Sequence, residues 1–133
     1  MGTISGRILI VDDEPEFGAA VCRALEATGK YQTAMATRGA DGLELARRHP
    51  PDLILLDIKM PGMDGLAVLK KLKERIETMS IPVLMLSALT DEEIKQKAAR
   101  LYNEDYIEKP VSFEYLLARI EKILGPSPER HAA

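Results

Sequence analysis

The chain has 133 residues, 46% of them apolar, a formal net charge of −3 and a single cysteine, Cys22. This is one domain's length of chain, with enough apolar matter for a core. The charge disfavours a nucleic-acid-binding face, which is normally basic. One cysteine excludes an internal disulfide and suits a reducing compartment, and no apolar run nears the roughly 20 residues of a membrane span.

Residues 1–6 carry neither the basic and apolar regions of a signal peptide nor the Ser or Thr that a myristoylation pattern needs at position 6, and are expected to form a flexible tail. From there strand-like and helix-like segments alternate five times. Residues 7–11, Arg7-Ile8-Leu9-Ile10-Val11, predict a strand. A helix follows over 15–28, with Pro15 in the first turn, Phe17, Val21 and Leu25 on one face, and Gly29 as the stop. The second strand, 31–36, alternates through Gln32-Thr33-Ala34-Met35 and so predicts an edge. The second helix spans 39–48 and ends before Pro50-Pro51. The third strand, 53–56, is a continuous Leu/Ile run. A helix over 65–77 follows it, with Leu66, Leu69, Leu72 and Ile76 on its inward stripe.

The fourth strand is expected at 82–86. The helix after it opens on Thr90-Asp91-Glu92-Glu93, a capping-box pattern, and carries only Ile94, Ala98 and Leu101 as a thin apolar stripe, which predicts shallow burial. A fifth strand is expected at 105–108. A fifth helix, 112–124, directs Phe113, Leu116, Leu117, Ile120 and Leu124 inward. Gly125-Pro126-Ser127-Pro128 closes the domain, and 126–133 reads as a tail or linker stub, which leans toward a larger parent with an output domain. The regular alternation predicts an α/β fold: a doubly wound, five-stranded parallel sheet, (βα)5. Ligands of such sheets bind beyond the carboxyl ends of the strands.

The polar residues at those ends are therefore the candidate site. Asp12 and Asp13 follow the first strand. One Asp would serve as a helix cap, but a second adds repulsion that a cation relieves. Asp57 follows the third strand, ahead of Ile58-Lys59-Met60-Pro61-Gly62-Met63-Asp64-Gly65. Alone it is equally a turn acid or a carboxylate nucleophile. Ser87-Ala88 follows the fourth strand, with a hydroxyl that suits either a cap or an anion contact. Lys109 follows the fifth, either as a surface charge or as the counter-charge to the acids. Lys109-Pro110 is a candidate cis peptide. The four signals are individually weak and jointly specific.

In this order, Val11-Asp12-Asp13-Glu14-Pro15, Leu56-Asp57-Ile58-Lys59-Met60-Pro61-Gly62-Met63-Asp64-Gly65, Leu86-Ser87-Ala88 and Asp105-Tyr106-Ile107-Glu108-Lys109-Pro110 resemble the receiver domain of two-component response regulators, over about residues 7–124. The resemblance implies a flavodoxin-like strand order, 2-1-3-4-5. It implies that Asp57 accepts a phosphoryl group from a sensor histidine kinase or a histidine phosphotransfer protein. Mg²⁺ would be held by Asp13, Asp57 and the backbone carbonyl of Lys59, with Asp12 acting through water. Ser87 and Lys109 would contact the phosphoryl oxygens, and Ser87 and Tyr106 would act as the switch. The fourth helix, fifth strand and fifth helix would form the output face toward an output domain, a downstream protein or a phosphorylated second copy. The expected molecule is a cytoplasmic phosphorelay switch with receiver residues 7–125, and not an enzyme beyond assisting its own phosphorylation and dephosphorylation. It makes no direct contact with nucleic acid or membrane.

Leu101-Tyr102-Asn103-Glu104 departs from the family's Gly-Ala-like turn before the fifth strand; Asn103 is the candidate for a left-handed residue there. Two other functions remain open. One is a constitutive interaction domain without phosphorylation control, against which the intact Asp13, Asp57, Ser87 and Lys109 argue. The other is an aspartyl-phosphate hydrolase, disfavoured because Asp57-Ile58-Lys59 lacks the second acid of an Asp-x-Asp motif.

Overall fold

The structure, a computed structural model, describes residues 6–87, 96 and 105–125. The tail at 1–5, Ala88, the expected fourth helix apart from Gln96, the Tyr102-Asn103 departure and residues 126–133 lie outside the described residues. Five parallel strands form one sheet: β1 (Gly6–Val11), β2 (Tyr31–Ala36), β3 (Leu53–Asp57), β4 (Val83–Ser87) and β5 (Asp105–Glu108). Their order is β2-β1-β3-β4-β5, with β2 at an edge, as its alternating sequence anticipated. The helices are α1 (Pro15–Ala27), α2 (Gly39–Arg48), α3 (Gly65–Lys73) and a C-terminal helix (Phe113–Leu124).

Alternation along the strands sorts the core into two layers. Leu9, Val11, Ile54, Leu56, Val83 and Met85 face α2 and α3, where they meet Ala46, Val68, Leu69 and Leu72. Ile8, Ile10, Leu53, Leu55, Leu84, Leu86 and Ile107 face α1 and the C-terminal helix, where they meet Val21, Leu25, Leu116, Ile120 and Leu124. β3 is buried along its whole length, as a central strand covered on both sides must be. Asp57 continues the parity of Leu53 and Leu55, and Asp12 that of Ile8 and Ile10.

The ends of several elements differ from expectation. β1 starts at Gly6, one residue inside the expected tail, and pairs there with Tyr31. β4 starts after Pro82, which has no N–H for the ladder; the Pro82 carbonyl still accepts from the Ile54 amide at 3.0 Å. The largest correction is α3. It ends at Lys73 rather than at 77, and Ile76 is 85% exposed rather than on the inward stripe. The chain turns because Thr78 takes the inner place. Thr78 is buried, its hydroxyl donates to the Leu72 carbonyl at 2.7 Å, and its own carbonyl accepts from the Ile81 amide at 3.1 Å. A buried hydroxyl that satisfies a terminal helix carbonyl ends the helix where apolar spacing would have continued it.

The loop after β3 is fixed by a close approach. Asp64 caps α3, accepting from the Ala67 amide at 2.9 Å, and the Gly65 amide donates to the Ile58 carbonyl at 2.7 Å. A methyl group on Gly65 would overlap the Asp57 carbonyl and sit 2.6 Å from the Ile58 Cα. Only glycine lets α3 press this near the end of β3. Gly65→Ala is expected to lower stability by about 1–3 kcal/mol through overpacking. Urea unfolding measures this, and an unchanged midpoint would mean that α3 does not depend on that approach.

Candidate functional site

Parallel strands leave their carboxyl ends along one edge, and the structure brings Asp12, Asp13, Asp57 and Lys109 together there. One carboxylate oxygen from each of Asp12, Asp13 and Asp57 lies within 4.8 Å of the others. Asp12 is fully buried and Asp57 is 5% exposed. The Lys109 ammonium lies 2.9 Å from Asp12 Oδ2, 3.2 Å from Glu14 Oε1 and 3.6 Å from Asp57 Oδ1. The first two are hydrogen bonds; the third is an ion pair without one. The Lys109-Pro110 peptide is cis.

Backbone contacts hold these groups in place. The Asp12 amide donates to the Ala36 carbonyl of β2 at 3.0 Å, and Asp12 Oδ1 accepts from the Glu14 amide at 2.9 Å. The Ile58 amide donates to the Leu86 carbonyl at 2.9 Å, which continues the β3–β4 ladder past Asp57. Ile58 and Met60 are buried while Lys59 between them is exposed, so the chain keeps its alternation beyond the strand. Phe17 in α1 sets its ring 4.6 Å from the Lys109 ammonium, within cation–π range.

The electrostatics follow from this crowding. Burial, and then the Asp12 charge, push the Asp57 carboxyl up to about 7 against the pull of Lys109; a hydrogen bond and charge from Asp13 add to the rise. Burial works against the Lys109 ammonium, but the hydrogen bond to Asp12 and the charges of Asp12 and Asp57 hold it above its ordinary value. Lysine therefore stays charged while Asp57 is reluctant to ionise.

The acid cluster fits a small divalent cation. Mg²⁺ keeps several waters and needs few protein ligands, so one carboxylate oxygen each from Asp12, Asp13 and Asp57 within 4.8 Å of the others suits it, some of them acting through water. A hard cation favours such an all-oxygen donor set, and three acids sharing one site require compensating charge.

Ser87 is the last residue of β4 and pairs with Glu108, one step beyond the Asp57–Leu86 pair; its side chain lies outside the described residues. Tyr106 pairs with Met85 and is 36% exposed. It lines a groove of about 600 Å³ with Glu108, Lys109, Val111, Ser112 and Tyr115. Sequence reasoning passed over Glu14 and Phe17 as members of the site. The available signal was Glu14 itself, a third acid following Asp12-Asp13 at the helix entrance.

The raised Asp57 pKa has a stability consequence. The unfolded carboxyl ionises near 3.9 and the folded one near 7. The native state therefore holds a proton that the unfolded state has lost. Stability present below about pH 4 declines as pH rises through 7 and stays low above it. With divalent cations chelated, Asp57→Asn is expected to gain about 1–3 kcal/mol at pH 8 and almost nothing at pH 4. Thermal unfolding at the two pH values measures the difference, and an equal or negative effect at pH 8 contradicts it.

Residues 8–121 match the family model for the response regulator receiver domain. The chain is 40% identical over 119 residues to protein PilH of Pseudomonas aeruginosa, covering 90% of this chain and 98% of that one. It is 40% identical over 118 residues to the DNA-binding dual master transcriptional regulator RpaA of Synechocystis, covering 89% of this chain but 48% of that one. The chain thus spans nearly all of one relative and about half of the other. Among solved structures, the chemotaxis protein CheY4 of Vibrio cholerae has a TM-score of 0.81 and 28% identity, covering 88% of this chain and 97% of that one. This chain belongs to the response regulator receiver domain family.

Proposed function

We propose that this chain is a phosphorylation-activated switch in which Asp57 accepts a phosphoryl group from a phosphohistidine. The observation that carries the reading is the setting of Asp57: a nearly buried carboxylate on the last residue of a central strand, with two further acids within 4.8 Å and an ammonium at 3.6 Å. Receiver domains are signalling switches regulated by histidine kinases or phosphotransfer proteins. A sensor histidine kinase or histidine phosphotransfer protein is accordingly the proposed donor here.

In the transfer, an Asp57 carboxylate oxygen bonds to phosphorus as the phosphorus–nitrogen bond to the donor imidazole breaks. The imidazole leaves with the bonding electrons and takes up a proton. Such transfers depend on positioning and charge neutralisation. Asp13 and Asp57 would hold Mg²⁺ by carboxylate, Lys59 by its backbone carbonyl and Asp12 through water. Mg²⁺, when bound, supplies positive charge beside the phosphoryl oxygens. Lys109 would add a hydrogen-bonding cation, and the Ser87 hydroxyl is the proposed donor to a phosphoryl oxygen. Hydrolysis of the acyl phosphate returns Asp57, and the chain's own catalysis extends no further than these two steps.

The added charge and acceptor oxygens at Asp57 bias Ser87 and Tyr106 toward the site. Tyr106 borders the groove beside Lys109, so its inward turn reshapes the surface of β5 and the C-terminal helix. Together with the predicted fourth helix this is the proposed output face, toward an output domain, a downstream protein or a second phosphorylated copy. Residues 7–125 are the proposed receiver unit, with 126–133 a tail or linker. Among the described residues no helix is long and apolar enough to cross a membrane. The half-buried free Cys22 suits the reducing cytoplasm, the proposed location.

Beryllofluoride, a phosphoryl mimic, tests the reading. In the presence of Mg²⁺ it is expected to shift the backbone amide resonances of Asp57, Ser87 and Tyr106. Asp57→Asn should abolish the shifts, and Asp13→Asn should weaken Mg²⁺ binding by about tenfold or more. Resonances that stay unmoved at saturating beryllofluoride would favour a constitutive interaction domain instead.

A further inference from the structure

We propose that Glu14 is a positioning residue that competes with the phosphoryl group for the Lys109 ammonium, and so sets how tightly Asp57 retains that group. The inference rests on Asp57 being the phosphoacceptor and concerns a residue outside the acid cluster.

Glu14 occupies the N-cap of α1 without capping it: its side chain makes no hydrogen bond to the helix amides. Glutamate is a poor cap in any case, since Ser, Thr, Asp and Asn reach those amides better. Its carboxylate turns to Lys109 instead, at 3.2 Å. Its amide meanwhile donates to Asp12 Oδ1 at 2.9 Å, which ties Glu14 to the partner that shares its lysine.

A lysine ammonium has three protons to donate. In this structure one goes to Asp12 and one to Glu14, while Asp57 stands beyond hydrogen-bond length at 3.6 Å. Phe17, three residues past Glu14 on the same helix face, sets its ring 4.6 Å from the same ammonium. The first turn of α1 therefore grips the cation that a phosphoryl group on Asp57 would recruit. Asp12 is fully buried, but the Glu14 side chain is 66% exposed. The Glu14 bond is thus the one water readily replaces, and the one released when Lys109 moves toward phosphoryl oxygens. While intact, it keeps part of the lysine's charge engaged and places a carboxylate at the mouth of the site.

Glu14→Gln removes the competing charge and keeps the side chain's length. Exposed ion pairs of this kind shift equilibria by small factors, so beryllofluoride should bind roughly two- to fivefold more tightly to the Mg²⁺-loaded variant than to wild type. Mg²⁺ affinity measured without beryllofluoride should change less. The effect must also pass through Lys109: in a Lys109→Met background, Glu14→Gln should leave beryllofluoride affinity unchanged. Equal or weaker binding by Glu14→Gln, with normal binding by wild type, overturns the inference. So does a gain that persists in the Lys109→Met background, which would make Glu14 a general field effect. Absence of beryllofluoride binding by wild type would instead bring down the reading of Asp57, and this inference with it.

Discussion

Lys109 places one ammonium 2.9, 3.2 and 3.6 Å from the carboxylates of Asp12, Glu14 and Asp57, and Asp13 completes the acid cluster beside them. Among the described residues the acids of this cluster outnumber the cation they share, and that imbalance is the condition on which the rest of the site depends. Burying like charges is unfavourable, and the resulting strain is concentrated on Asp57, whose carboxyl resists ionisation to about pH 7. Removing such a cluster would stabilise many folds. Its presence suits the proposed switch, in which a cation would relieve the acids and an anion would draw on the lysine.

The fold delivers this arrangement through strand parity and one close contact. Asp12 and Asp57 extend the sequence of side chains that faces α1 and the C-terminal helix, so the apolar core of that layer ends in the acid cluster. Gly65 draws α3 tight against the backbone of Asp57 and Ile58, which fixes the end of β3 from the other layer. The carboxylate is therefore positioned by a rigid strand end, and the nearby exposed Lys59 and Tyr106 border solvent.

Much of this was legible in the sequence because parallel strands write plainly. β3 is an apolar run closed by Asp57, β2 alternates as an edge does, and Asp12, Asp13 and Lys109 follow directly on strand ends. The strand order came from the family resemblance and not from hydrophobic pattern, which carries no neighbour information. Ile76 misled because apolar spacing continues past Lys73, whereas the helix is stopped by a Thr78 hydroxyl whose burial depends on tertiary packing. Glu14 went unseen for a related reason. An acid at a helix entrance is ordinary, and only the three-dimensional approach of Lys109, 95 positions away, distinguishes it.

This electrostatic imbalance is proposed to make Asp57 a Mg²⁺-dependent phosphoacceptor. The most direct measurement is the intact mass of the protein after incubation with a small acyl-phosphate donor, with and without Mg²⁺. The expected result is the gain of one phosphoryl group that requires Mg²⁺, is released by hydroxylamine, and disappears in Asp57→Asn. No gain in the presence of Mg²⁺, or an undiminished gain in Asp57→Asn, would contradict it.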